Sequence, residues 1–269
     1  MNDILIVLVC YNVSLNSLDL LKNLEGQDIL VYDNSTHSQE GMKGIHYHHD
    51  STNPGVSKAY NYGITLAKKM KKKYVLLLDH DTEFNLGYLE EYLKMSLKYG
   101  EDYIYAPIIS GNGKIYSPFI ETKVRNLTQD PETFNYKEKY RLEGMSLINS
   151  GLMIPLKIIE VIGAFNERIK LDFSDIYLIS KYKEYKNEII LVNIQLKHGL
   201  SGDEGLDKGK ELNRFKYYCN GAREFKKTSE LKYKLNLFVV FRMLRLMMKY
   251  KSFVPIGIVR RFYIGETTI

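Results

Sequence analysis

The sequence predicts an α/β fold built on a mostly parallel, doubly wound sheet with helices on both faces, and three observations carry that reading. Ile4–Cys10, Ile29–Tyr32 and Tyr74–Leu78 are short, continuous apolar runs, the pattern of strands buried on both faces. Each run ends abruptly in polar residues, at Tyr11-Asn12, Asp33-Asn34-Ser35 and Asp79-His80-Asp81-Thr82. Segments with helical spacing lie between them, and strands alternating with helices assemble into parallel sheets.

The elements follow in order. After the first strand, Leu15, Leu18, Leu21 and Leu24 recur at helical spacing, with Ser14 or Asn16 as the cap. Ile29–Tyr32 is the second strand, and the neighbourhood of Tyr47 is a short third. Asn53-Pro54-Gly55 turns the chain into a helix from about Val56 to Lys72, and Tyr74–Leu78 is the next strand. Residues 83–99 are helical, and Ile104–Ala106 and Ile108-Ile109 are short strands around Pro107. Residues 111–140 show no periodicity and read as a loop-rich excursion, the sort of place where binding loops occur. Leu147–Ile154 returns to strand, Ile158–Ile162 and Asp175–Lys186 to helix, and Ile189–Val192 is the last strand.

Of the 269 residues, 45% are hydrophobic and 26% charged, values of an ordinary globular chain rather than a disordered one. The two cysteines, Cys10 and Cys219, make neither a disulfide framework nor a metal cluster, and fit a reducing cytoplasm. No window holds the ~18 consecutive apolar residues of a membrane span, and no basic region precedes Ile4–Cys10 as in a signal sequence. The net charge of +6 is uneven: residues 206–269 carry 15 basic and 5 acidic side chains, leaving 23 and 27 in residues 1–205. The sequence therefore divides into a domain over 1–205 and a basic, amphipathic helical tail over 206–269.

Asp79 and Asp81 stand one residue apart at a strand's carboxyl end, the rim where open α/β sheets bind ligands. Such a pair offers hard oxygen ligands for Mg²⁺ or Mn²⁺, which in turn draws in a diphosphate. A plain strand-end turn is the alternative. Asn12, Asp33, the Asn53 turn and Asp79/Asp81 follow successive strands and meet on one rim, as a nucleotide pocket requires. Asp33 can accept hydrogen bonds from a ribose or base, or cap its own turn through Asn34 and Ser35. Gly55 lets backbone approach a ligand closely, or simply turns the chain.

Four segments together resemble glycosyltransferase family 2, and within it bacterial rhamnosyltransferase-like members: Val9–Asn12, Asp33–Ser35, Asn53–Gly63 and Leu78–Thr82. Their order and strand context match over roughly residues 4–205. The resemblance implies a GT-A (Rossmann-like) fold, a dTDP- or UDP-linked sugar donor and a divalent metal, Mn²⁺ or Mg²⁺. It places Asp33 on the nucleoside, with Asn61 and Gly55 shaping that pocket. Tyr11, Asn12, Asn34, Asn53 and Lys58 complete the donor-binding set. Asp79 and Asp81 lie at the diphosphate and metal, with Asp81 in direct contact. His80 belongs to the same loop, its ring expected on the side away from the carboxylates. Asn149-Ser150-Gly151 matches the segment beside the transferring sugar, which puts Ser150 and Gly151 in the donor site.

Asp172-Phe173-Ser174-Asp175 resembles the segment that supplies the catalytic base of inverting members, with Asp175 at the base position and Asp172 as runner-up. Either could instead be a helix N-cap. The chain departs from the family pattern at Lys181, where an Arg is usual, and at Ile176-Tyr177. His198, after the last strand, matches a histidine near the metal, with a purely structural role as the alternative. The implied chemistry is one direct displacement, with Asp175 taking the proton of an acceptor hydroxyl.

The tail resembles those of the same members at Arg214–Tyr218 and Gly221–Glu224, which implies a polyprenyl-diphosphate-linked glycan acceptor in capsular or other cell-surface polysaccharide synthesis. Within Leu235–Met248, Arg242, Arg245 and, at i+4, Lys249 share one helix face, with Phe238, Phe241, Leu244 and Met248 nearer the other. Such a helix can lie on an anionic membrane surface or pack on the core with its basic face solvated. Peripheral association with the cytoplasmic face of the plasma membrane follows from the first reading. Nucleic acid as partner is disfavoured, because residues 1–205 are net acidic and no recognition motif is present. A homodimer is compatible with the sequence.

Overall fold

The computed structural model describes residues 3–122, 126–197, 207–229, 232–265 and 267. Eleven strands run β1 Ile4–Cys10, β2 Ile29–Asp33, β3 His46–His49, β4 Tyr74–Asp79, β5 Tyr105–Gly111, β6 Lys114–Glu121, β7 Asn126–Gln129, β8 Lys139–Arg141, β9 Met145–Ser146, β10 Met153–Pro155 and β11 Glu188–Lys197. The helices are α1 Asp19–Asn23, α2 Val56–Lys69, α3 Leu86–Tyr99, α4 Leu156–Ile162, α5 Ser174–Tyr185, α6 Lys208–Thr228, α7 Lys232–Tyr250 and α8 Val254–Val259. One sheet has the order β3-β2-β1-β4-β10-β5-β11-β8, with β6 paired to β5 and carrying β7 and β9.

The four strands β3, β2, β1 and β4 are mutually parallel, whereas β10 is antiparallel to both its neighbours, so the sheet is mixed beyond β4. Alternation along β1 builds both faces at once. Leu5, Val7 and Val9 enter a core with residues of α2, α4 and α5, while Ile6, Leu8 and Cys10 enter another with α1 and α3. The sheet is thereby covered on both sides, as its continuous apolar strands require.

Several local expectations are corrected. The first helix is only a 3₁₀ turn, Leu15–Ser17, followed by the five-residue α1. The helix after Gly55 stops at Lys69, two residues before Lys71 takes a positive φ of 56°. Residues 111–140 are not a loop-rich excursion: β6, β7 and β8 lie there. The turn between β5 and β6 is Asn112-Gly113 with φ of 49° and 69°, the backbone a two-residue hairpin demands. Leu147–Leu152 is buried at both ends, like a strand, yet it turns, because the Gly151 N–H bonds the Leu77 carbonyl with φ at 85°.

The helical tail is packed on the rest of the chain. Phe215, Cys219, Phe225, Leu235, Val239 and Leu246 share a core with Ile169 and Phe173, which precede α5. The boundary at residue 205 lies outside the described residues. Among the described residues, no helix is long and apolar enough to cross a membrane.

Candidate active site

The parallel register sets the rim. Cys10 pairs with Asp33 and Val9 with Asp79, so the ends of β2, β1 and β4 stand side by side. Loop bonds then tie these ends together. The Asn12 N–H donates to Ser35 Oγ at 2.7 Å, with Asn12 in the left-handed region at φ 50°, and the Asn34 N–H donates to the Cys10 carbonyl. Asn12 and Tyr11 are exposed on this rim.

Asp33 is fully buried and accepts from the Ser35 N–H, the Tyr47 hydroxyl and Gln39 Nε2. Burial raises its carboxyl pKa, but the bonds from Ser35, Tyr47 and Gln39 outweigh that and hold it below the usual range. Next along the rim, Asp50 accepts from the Thr52 hydroxyl and N–H and from Lys58 at 3.2 Å. The Thr52 hydroxyl, against the opposing effect of burial, leads the groups that bring Asp50 down to about 2. Asn53 follows with φ 47° and closes the turn into Pro54-Gly55.

The Asp79–Thr82 turn is braced from below. The Asp79 N–H donates to Ser150 Oγ at 3.1 Å, and the same oxygen is 2.7 Å from the Thr82 hydroxyl. The His80 N–H bonds the Val9 carbonyl. Gly151 cannot carry a side chain here, because a Cβ would fall 2.5 Å from Pro107 Cγ. The buried Tyr60 of α2 donates its hydroxyl to Asp79 Oδ1 at 3.1 Å. Burial pushes the Tyr60 phenol pKa well up; Asp79, then Asp175 and Asp81, add to it.

The Asp172–Asp175 segment and the residues before it are fixed against the turn that opens α2. A Cβ on Gly55, whose φ is +96°, would fall 2.1 Å from the Lys170 carbonyl oxygen, and the Val56 N–H bonds that same oxygen at 2.8 Å. Ser57 Oγ donates to the Ile169 carbonyl and lies 2.9 Å from Ser174 Oγ, which also accepts from Asn149. Phe173, in the left-handed region at φ 74°, is the N-cap of α5, so neither Asp172 nor Asp175 caps the helix. Asp175 lies in the first turn and accepts from the Ile176 N–H. Burial first, then the nearby Asp172 and Asp79, raise its pKa to about 7, with the Ile176 N–H opposing them.

Asp172 faces the tail instead. Arg214 of α6 and Arg242 of α7 each stand 3.8 Å from Asp172 Oδ1, and the Arg242 guanidinium lies 4.3 Å above the Tyr218 ring. A cleft of about 300 Å³ beside them is lined by Asp172, Asp175, Arg214, Tyr218, Phe238 and Asn126, among others. The tail thus supplies a wall of the site.

Asn61 has other partners. Its amide donates to the Phe165 carbonyl and to Glu167, and its oxygen accepts the Phe165 N–H, which clasps the loop after α4. His198 lies outside the described residues. Among the described residues there is no cluster of three His, Cys, Asp or Glu side chains able to hold a metal. Two carboxylates on one turn nonetheless fit a Mg²⁺ or Mn²⁺ ion whose remaining ligands are phosphate oxygens and water. Sequence reading missed Tyr60, Ser57, Arg242 and Phe238. Ser57 and Tyr60 lie inside the Asn53–Gly63 segment, and Arg242 interrupts an apolar helix, so each left a trace in the sequence.

Comparison with curated protein sequences gives no match. Among solved structures, that of GalNAc-T7 with UDP, GalNAc and Mn²⁺ is similar with a TM-score of 0.57 at 12% identity, over 87% of this chain and 55% of that one. A structure of TarS from S. aureus is similar with a TM-score of 0.49 at 12% identity, over 97% and 55%. The chain thus spans about half the length of each of these proteins. The likeness to GalNAc-T7 identifies the fold as GT-A. The family model for glycosyl transferase family 2 matches residues 6–155, from β1 through the Asp79–Asp81 turn to β10. With more than half of its length so matched, the chain belongs to glycosyl transferase family 2.

Proposed function

We propose that this glycosyltransferase is an inverting, metal-dependent enzyme that moves a sugar to a hydroxyl of a lipid-linked glycan in cell-surface polysaccharide synthesis. The leading donor is dTDP-rhamnose, with a UDP-hexose or UDP-galactofuranose as the alternative. The observation that carries the reading is that α2 holds both carboxylate segments: Tyr60 bonds Asp79 Oδ1 at 3.1 Å, and Ser57 lies 2.9 Å from Ser174, the neighbour of Asp175. One rim then offers a diphosphate-side carboxylate pair and, facing it, a single carboxylate with a pKa of about 7. The similar GalNAc-T7 structure holds UDP and Mn²⁺, which supports a nucleotide-linked donor and a divalent metal here.

In the proposed reaction Asp33, Asn12 and the Asp50–Lys58 turn hold the nucleoside side of the donor. Asp79 and Asp81 hold the divalent cation, which when bound supplies charge neutralisation for the departing nucleoside diphosphate. Tyr60 and Ser150 keep that turn in place through Asp79. Asp175 takes the proton from the acceptor hydroxyl as its oxygen attacks the anomeric carbon, and the sugar–phosphate bond breaks on the opposite side. A pKa near the working pH suits a group that must accept a proton and later release it. The cleft between Asp175 and the tail receives the acceptor.

The test is nucleoside diphosphate release with Mn²⁺ or Mg²⁺ across dTDP-rhamnose and a panel of UDP-sugars, with Asp81→Ala alongside. Metal-dependent release from one donor, lost in the variant, identifies that donor. An Asp81→Ala rate equal to that of the parent protein overturns the metal assignment.

A further inference from the structure

α7 directs several of its cations to carboxylates of the chain and leaves a set of apolar residues exposed. Arg242 points to Asp172, and Arg245 and Lys249 pair with the buried Glu211 of α6 at 3.8 and 2.5 Å. Arg242 is thereby largely buried, whereas Arg245 and Lys249 reach Glu211 from the surface. Val240, Leu244 and Met248 recur at i, i+4 and i+8 spacing and, with Phe241 beside them, form an exposed stripe, with Phe241 53% and Met248 74% exposed. Phe253, 78% exposed, carries apolar surface onward along the chain.

We propose that this stripe, with Phe253 beyond it, is the surface by which the enzyme seats in the interfacial layer of an anionic membrane, held by inserted side chains as well as by exposed cations. This rests on the lipid-linked acceptor proposed above and names the surface that meets it. Charge decides what covers the stripe. Residues 232–265 contain eight Lys and Arg and no Asp or Glu. Of these, Lys232, Arg245, Lys249, Lys251, Arg260 and Arg261 are exposed, Arg245 and Lys249 while paired with Glu211. A second copy offering the same face would set cation against cation. A bilayer with anionic headgroups accepts both parts, apolar side chains below and cations at headgroup level. Phe238, three residues before Phe241 on the same helix, lines the cleft beside Asp172 and Asp175. Seating the stripe brings the mouth of that cleft to the bilayer, where a lipid-linked acceptor resides.

The experiment is co-sedimentation of the full chain with phosphatidylcholine vesicles, with and without phosphatidylglycerol, at low and high salt. The parent protein is expected to bind the anionic vesicles and to keep a residual, salt-resistant affinity. Phe241→Asp combined with Met248→Asp should weaken binding by about tenfold or more, because both side chains must leave the acyl boundary. Release of nucleoside diphosphate from a soluble donor by that variant should equal the parent's, which separates loss of docking from loss of the enzyme. No vesicle binding by the parent overturns the proposal. So does binding that high salt abolishes and the double variant leaves intact, which would assign it to the cations alone. A dimer in light scattering that the double variant dissolves, without vesicle binding, would assign the stripe to a second copy.

Discussion

Gly221 of α6 lies directly against Asp172: a Cβ at position 221 would fall 2.6 Å from the Asp172 carbonyl oxygen. The obstructing atom is backbone, so it cannot swing aside as a side-chain end would. Gly221→Ala must displace either α6 or the segment that carries Asp172 and Asp175. Misplacing a catalytic group by about 1 Å can cost on the order of 10²-fold in rate. The expected outcome is a fall of about that size in acceptor-dependent turnover, with nucleotide binding at the β2–β4 rim unchanged. Titration of nucleoside diphosphate beside a turnover assay checks it, and equal loss of both would place the damage in the whole fold.

Asp175 sets the pH dependence. Its carboxyl, raised by burial and by Asp172 and Asp79 to about 7, must be ionised to accept a proton. Transfer to the acceptor should therefore rise with pH through about 7 and level off above it. Asp175→Asn should remove that limb and lower turnover by about 10²–10⁴-fold, the usual worth of a positioned general base. Stability carries the opposite sign. A carboxyl whose folded pKa lies above its ordinary value of 3.8 favours folding when protonated, so its contribution falls as pH rises from about 4 to about 7. The urea midpoint of Asp175→Asn, compared with the parent at pH 5 and pH 8, should gain more at pH 8.

Asp172 and Arg242 should move that limb in opposite directions. Asp172 adds a like charge near Asp175, so Asp172→Asn lowers the pH at which transfer half-rises. Arg242, only 13% exposed and 3.8 Å from Asp172 Oδ1, offsets that charge. Arg242→Gln should raise the half-rise, and the double variant should return toward the single Asp172→Asn value. pH profiles of the four proteins decide this. A merely structural arginine would lower the rate without moving the limb.

The sequence made the parallel half of the fold legible because β1, β2 and β4 are buried on both faces, which writes them as unbroken apolar runs. Their polar ends marked the rim for the same reason: side chains there leave the core abruptly. The β6–β8 region was not legible by periodicity, since β7 and β8 are short and half-exposed, although Asn112-Gly113 is a hairpin signal in its own right. Part of the Asn53–Gly63 segment proved to hold structure together. Gly63 gives α2 its seat on β1, with a Cβ there falling 2.4 Å from Val7 Cγ2, and Asn61 clasps Phe165. The direction of α7 could not be read, because its cationic stripe is bound by Asp172 and Glu211, partners distant in sequence.

Gly55 and Gly257 should respond to alanine with opposite signs. At Gly55 the φ of +96° is unfavourable for any residue with a Cβ, and that Cβ would meet the Lys170 carbonyl at 2.1 Å. The Val56 N–H bonds the same carbonyl, so relief requires breaking the link between the α2 turn and the base segment. Overpacking and backbone strain each cost about 1–3 kcal/mol, and Gly55→Ala should destabilise by about 2–5 kcal/mol. Gly257, inside α8, has ordinary backbone and no neighbouring atom within 4 Å of an added Cβ. Gly257→Ala should therefore stabilise by about 0.5–1 kcal/mol through the helix preference of alanine. Urea unfolding of both variants checks the pair, and a Gly55→Ala midpoint equal to the parent's would show that the α2 turn and Lys170 are not in this contact.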